Sequence, residues 1–262
     1  MHLHVHTHYS VLDGQSKVRY LVDKAIKDGM KGMAITDHGV MYGIKELFDY
    51  CSVVNKKRVK EGLEPFKPIL GCEMYVAHHN KEDKVKENGD ASGYHLIVLA
   101  KNYQGYKNLI KIVSRSWVDG YYYKPRTDRA DLEKYHEGLI VCSACIAGEV
   151  PAKVLDGDLE GAREACQWYH RVFGDDYYLE LQRHEVKDPA IRAKRLGNGE
   201  IGHDRAVVNT VHLNLAEHLK RVAQGLGNVG EDVVHLLSCL EPLLFGVHQA
   251  ERVVQVFACR QA

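Results

Sequence analysis

The stretch HLHVHTHYSVLDG, residues 2–14, decides how the rest of the chain is read. It opens as a short strand, HLHVH (2–6), and in a strand residues i and i+2 project to the same side. His4 and His6 therefore share one face at a strand end, where two imidazoles can hold one cation. Asp13 follows, and Gly14 after it lets the turn swing that carboxylate back toward the pair. A lone exposed histidine means little, and His2, His4, His6 and His8 together imitate an affinity tag. A tag is consecutive, however, and does not run on into YSVLDG. We adopt the ligand reading.

Outward from this stretch, strands and helices alternate. Ser16 can cap a helix whose apolar positions are Val18, Leu21, Val22, Ala25 and Ile26, with Gly29 closing it. GMAIT (32–36) reads as a buried strand, and a Lys- and Glu-rich helix follows over 43–61. PILGCEMYVA (68–77) and HLIVLA (95–100) are further strands, separated by a polar surface loop (78–93). A helix carrying Leu109, Ile110, Ile112 and Val113 leads into a Tyr-rich basic connection (120–135). GLIVCSA (138–144) is a strand, Asp158 caps a helix over 159–173 that Gly174 stops, and DYYLELQRH (176–184) is one more strand. Repeated βα units with short connections imply an α/β fold with a parallel sheet, open or closed into a barrel. Polar residues recur at the strand ends: His4, His6, Asp37, His38, Glu73, Cys145 and His184. Sites in βα folds are built on that rim.

Composition narrows the options. The chain has 262 residues, 45% of them apolar and 27% charged, which excludes a disordered or collagen-like chain. Thirty-five basic residues balance 35 acidic ones, so bulk charge does not advertise a nucleic-acid binder. No run is apolar and long enough for a transmembrane helix, and no membrane partner is expected. MHLHVHTHYS has neither a basic nor an apolar signal region, so the seven cysteines read as reduced thiols of a cytoplasmic protein. The CxxC at Cys142 and Cys145 has no second CxxC and follows a strand, which disfavours a zinc ribbon or redox pair. Sixteen histidines make metal binding the property to test.

The chemistry gathers in a few places. Thr36-Asp37-His38-Gly39 stands where a strand turns into a helix. Glu73 is flanked by apolar residues in GCEMYV, and a carboxylate there needs a cation or a lysine partner. His95 opens a very apolar strand, and Cys145 follows another. Imidazole with bridging carboxylate suits Zn²⁺, Mn²⁺ or Fe²⁺ more than Mg²⁺. Clustered cations of this kind favour phosphoester hydrolysis. No glycine-rich phosphate loop, GxSxG or HExxH is present. In 120–135, Tyr122, Lys124 and Arg126 are candidates for nucleic-acid contact, by base stacking and phosphate pairing, against the plainer reading of a packing loop.

HLHVHTHYSVLDG (2–14), ITDHG (35–39), GCEMYVA (71–77), YHLIVLA (94–100) and CSACIAGEVP (142–151) resemble the PHP (polymerase and histidinol phosphatase) family. Residues 102–140 and 173–189 are most similar to its branch in bacterial DNA polymerase III alpha subunits. The resemblance covers residues 2 to about 193. It implies a distorted (β/α)7 barrel holding a divalent metal cluster (Zn or Mn, or Fe). By motif it makes His4, His6, Asp13, His38, Glu73, His95 and Cys145 the metal ligands, with Asp13 and His38 catalytic. It also implies DNA and other polymerase subunits as partners. Two further family ligands, an Asp-x-His motif on a later strand, are missing; the nearest echo, NTVH (209–212), has Thr210 where Asp should stand. The barrel is thus expected to be incomplete. Metal-dependent phosphoesterase or 3′–5′ exonuclease activity is expected, impaired here, with a stand-alone phosphatase or a metal-stabilised scaffold as alternatives.

The character of the chain changes near residue 195. Residues 196–262 contain no Tyr, no Trp and one Lys, Lys220. We therefore divide the chain into a truncated barrel (1–193) and an atypical tail (194–262). The tail is either a small helical subdomain, with helices over 213–224 and 231–245, or sequence foreign to the family.

Overall fold

The computed structural model describes residues 1–85, 92–183 and 206–210. The elements follow largely as the patterning dictates. They run α1 (Val18–Lys27), β1 (Gly32–Ile35), α2 (Gly43–Lys60), β2 (Lys67–Val76), β3 (Tyr94–Ala100) and α3 (Tyr103–Val118). Then come β4 (Tyr121–Tyr122), β5 (Lys124–Thr127), α4 (Arg129–Lys134), β6 (Leu139–Cys142), α5 (Glu149–Leu155), α6 (Leu159–Phe173), β7 (Tyr177–Tyr178), β8 (Glu180–Arg183) and β9 (Ala206–Thr210). Asp158 caps α6 by accepting from the Gly161 amide at 2.9 Å. Ser16 does not cap α1: Lys17 occupies that position, without a side-chain cap.

The fold is α/β, but its sheet is mixed and, among the described residues, open. Seven strands join in the order β4-β5-β2-β3-β6-β7, with β1 also on β2, while β8 and β9 form a second, two-stranded sheet. The β1–β2, β2–β5 and β6–β7 pairs are parallel, whereas β3 is antiparallel to both β2 and β6. The departure from the all-parallel expectation arises between β2 and β3. Among the described residues no helix crosses over there, and β3 returns antiparallel beside its predecessor. HLHVH is not a regular strand either. It lies along β1 through two backbone bonds, from the Ala34 amide to the His2 carbonyl and from the Thr36 amide to the Val5 carbonyl, both 2.8 Å.

Register sorts the strand residues onto two faces. Cys72, Met74, Leu96, Val98 and Val141 pack beneath Leu109 and Ile112 of α3 and Trp168 and Tyr169 of α6. The opposite face carries an apolar layer of Ala34, Ile97, Leu99, Cys142 and Ala144. Glu73 pairs with Ile97, and Tyr75 with His95, so both polar partners share that second face. Helices α1 and α2 seal β1 with Val18, Val22 and Leu47 against Met33 and Ile35.

The segment 120–135 is more ordered than a connection, since it forms β4, β5 and α4. Arg126 is fully buried there. Its guanidinium donates to the carbonyls of Lys81 (2.8 Å), Asp83 (2.9 Å) and Gly120 (3.3 Å). The expected phosphate contact is therefore corrected: Arg126 is spent inside the protein. The chain just after β2 is likewise anchored, because the buried Lys81 ammonium bridges Asp128 (3.1 Å) and Asp131 (3.2 Å). In the tail, β9 is a strand where no strand is expected; both expected helices lie outside the described residues. Replacing Arg126 by Met should strand three buried carbonyls and cost about 3 kcal/mol. The check is the chemical-denaturation midpoint; an unchanged midpoint would contradict the anchoring role.

Candidate metal centre

The inner face of the sheet ends in a buried carboxylate. Glu73 is 1% exposed, and four imidazoles converge on it. His6 Nε2 lies 2.9 Å from Oε2, His4 Nε2 3.1 Å and His38 Nδ1 3.4 Å, while His95 Nδ1 pairs with Oε1. Cys145 Sγ is 3.5 Å from His95 Nδ1. The rings of His6 and His38 stack at 4.1 Å, 12° from parallel. Two donor groups result, His4–His6–Glu73 and Glu73–His95–Cys145, each with ligand atoms within 4.8 Å of one another. The nitrogen, oxygen and sulfur donors of these groups fit a divalent cation.

Each side chain of the cluster is placed by its element. His38 follows β1, and Gly39 behind it has φ 64°, the left-handed region that glycine adopts without steric cost. A Cβ there would meet Pro125 Cγ at 2.5 Å. Cys145 is aimed by a different device: Ala144, fully buried, stands at φ 61°. A non-glycine residue in that region costs about 1–2 kcal/mol, which the fixed surroundings sustain. The two cysteines of the CxxC part company, since Cys142 joins the apolar layer while Cys145 faces His95.

Asp13 reaches His38 Nε2 at 2.9 Å and belongs to neither donor group. Its loop is moored by Asp37, which accepts from the Thr7 amide (2.7 Å), the Thr7 hydroxyl (2.9 Å) and the Ser10 hydroxyl (2.7 Å). Gly14 is required in this loop because a Cβ would sit 1.9 Å from the Thr7 carbonyl oxygen. His184 lies outside the described residues. Thr210, on β9, pairs in register with Glu180, and His212 lies outside the described residues.

Glu180 is the residue that sequence reasoning missed. It is fully buried, and its Oε1 lies 2.8 Å from His4 Nδ1. A carboxylate behind a ligating histidine fixes the ring's tautomer and orientation. Its signal was present in YLELQ, where an acid stands between two leucines as Glu73 stands between Cys72 and Met74.

The electrostatics follow from this crowding. Burial alone would raise the Glu73 carboxyl, but His4, His6 and His95 outweigh it and hold the group well below the usual range. Burial alone would lower His4, yet Glu180 and Glu73 raise it well above its ordinary value. His95 is likewise raised to about 10, against burial, by Cys145 and Glu73. Burial prevails at His38, which is lowered despite Glu73. His4 and His95 are thus biased toward their protonated forms beside a fixed carboxylate, protons that a cation displaces on binding.

Two measurements probe this geometry. Glu180→Gln should weaken divalent-metal affinity about 10- to 100-fold while leaving the circular dichroism unchanged; equal affinity would remove its orienting role. The second probe is thiol alkylation near pH 8, read peptide by peptide. Burial pushes Cys51 up to about 11 and Cys166 up to about 12, and raises Cys72 and Cys142 as well. Among these and Cys145, the half-buried Cys145 should react first, and added Zn²⁺ or Mn²⁺ should protect it. Unchanged labelling with metal would exclude it as a ligand.

Comparison with known proteins places the chain. It is 44% identical over 214 residues to the DNA polymerase III subunit alpha of Borreliella burgdorferi, covering 81% of this chain and 18% of that protein. The subunit alpha of Treponema pallidum is 39% identical over 229 residues, with 86% and 18% covered. The chain thus spans under a fifth of the length of these relatives. A solved structure from Bifidobacterium adolescentis, proposed to be a metal-dependent phosphoesterase, matches at 22% identity and TM-score 0.25, covering 45% of this chain and 33% of that one, too distant to argue from. No helix among the described residues is long and apolar enough to cross a membrane. The family model for the PHP domain matches residues 2–184, and the chain belongs to that family.

Proposed function

We propose that this chain is the PHP module of a bacterial replicative DNA polymerase, acting in the cytoplasm beside DNA and the other polymerase III subunits. On this reading the module descends from a metal-dependent 3′–5′ exonuclease and retains impaired phosphoester hydrolysis. The observation that carries it is the convergence of His4, His6, His38 and His95 on Glu73, with Cys145 beside His95. Likeness to polymerase alpha subunits supports the polymerase context over a stand-alone phosphatase.

Zinc or manganese, with iron as the third candidate, supplies Lewis acidity toward a phosphate when bound. His4, His6, Glu73, His95 and Cys145 would hold it, and Glu180 would orient His4. The Asp13–His38 pair is open to solvent beside the cluster, where it can hold or pass a proton for the leaving oxygen. Tyr122 and Lys124 remain the proposed nucleic-acid contacts. The module spans residues 1–193, and a tail of different composition follows over 194–262. A metal-stabilised scaffold is the second reading, favoured by Asp13 standing apart from both donor groups.

The test is metal content measured together with 3′–5′ cleavage of a labelled single strand. We expect bound divalent metal and weak, chelator-sensitive cleavage, which Asp13→Asn lowers at least about tenfold with little loss of stability. Metal without cleavage would support the scaffold. Neither metal nor cleavage would overturn the catalytic reading.

A further inference from the structure

Among the described residues, two non-glycine residues adopt positive φ: Ala144 at 61° and Tyr123 at 59°. Ala144 immediately precedes Cys145. Tyr123 immediately precedes Lys124. In each case a strained residue aims the next side chain, and such strain persists only where the surroundings enforce it.

Lys124 lies over a ring that borders the metal centre. Its ammonium lies 5.0 Å from the centroid of the Tyr75 ring. That same ring packs edge-on against His95 at 5.1 Å and stacks on His38 at 6.1 Å. One aromatic ring therefore touches both the ammonium and two imidazoles of the cluster. No carboxylate lies within ion-pair reach of Lys124 among the described residues, and the side chain is half-buried. The other buried cations nearby are spent: Lys81 on Asp128 and Asp131, and Arg126 on backbone carbonyls.

The hairpin that carries Lys124 is fastened to the rim from several sides. Tyr122 pairs directly with Lys124 across the one-residue turn at Tyr123. Arg126 pairs with Tyr75 in the β2–β5 register. Pro125 closes against Gly39, next to His38. Trp117 donates to the Gly39 carbonyl at 2.8 Å and stacks on Tyr121 at 5.5 Å. The backbone that carries Lys124 is thus held by rigid supports, the condition for a pre-organised contact.

We infer that Lys124 is the phosphate-holding residue of this site, pairing with a non-bridging oxygen of a phosphate ester bound at the metal centre. Tyr75 serves as its platform and spaces it from the ligands. The ammonium is a point donor that needs no bidentate geometry, so the site accepts phosphate groups without reading the rest of the ester. This inference rests on the metal centre proposed above.

The experiment uses the full chain loaded with Mn²⁺, its metal content measured, and thymidine 5′-monophosphate as the probe, with thymidine as the control. Binding is read by calorimetry for the wild type, Lys124→Ala and Lys124→Arg. We expect equal metal content in all three, about tenfold weaker nucleotide binding in Lys124→Ala, and binding within about threefold of the wild type in Lys124→Arg. Equal nucleotide affinity in Lys124→Ala at equal metal content would overturn the inference while leaving the metal centre standing. So would a metal-loaded wild type that binds nucleotide no better than thymidine, or a loss of metal confined to Lys124→Ala. A wild type that takes up no metal would instead overturn the metal centre, and this inference with it.

Discussion

A carboxylate sealed from water at the end of an apolar sheet face must find compensating charge or strong hydrogen bonds. Glu73 is that carboxylate, and the surrounding architecture answers to it. The segment before α1 delivers His4 and His6, the turn after β1 delivers His38, β3 delivers His95, and the turn after β6 delivers Cys145 next to His95. Glu180 then satisfies the far nitrogen of His4. Segments distant in sequence are tied to one another because each contributes a partner to one side chain.

The sheet topology serves the same end. Because β3 returns antiparallel beside β2, Tyr75 and His95 stand directly across from each other, and Glu73 lies two residues along on the same face. In an all-parallel sheet a crossover helix would separate these strands in sequence, and the pairing would need other residues. A slip of one residue in this register would send His95 to the helix-covered side. The apolar pairs Met74–Leu96 and Cys72–Val98, buried beneath α3 and α6, hold the register against that slip.

Much of the candidate site is legible in the sequence. His4 and His6 declared themselves by spacing, Glu73 by its apolar flanks, and His38 and Cys145 by their places after strands. The misreadings share one cause, since local sequence reports polarity but not depth. Arg126 and Lys81 look like surface cations in polar stretches, yet both are buried and satisfied. Glu180 carried the same apolar flanks as Glu73 but lay in a segment read only as a strand. Ser16 looks like a cap by composition, but its carbonyl instead accepts from the His8 amide at 3.0 Å. The antiparallel return of β3 was illegible because nothing in 78–93 distinguishes a long loop within a hairpin from a loop between βα units.

The two donor groups share Glu73, with Oε2 serving one and Oε1 the other. They are therefore not independent compartments. A cation that draws on one oxygen changes the charge and the freedom of the other, so occupancy of either group must alter the affinity of its neighbour by the same factor in both directions. The centre is a single linked equilibrium with two ports, and its response to rising metal concentration should depart from that of two separate sites.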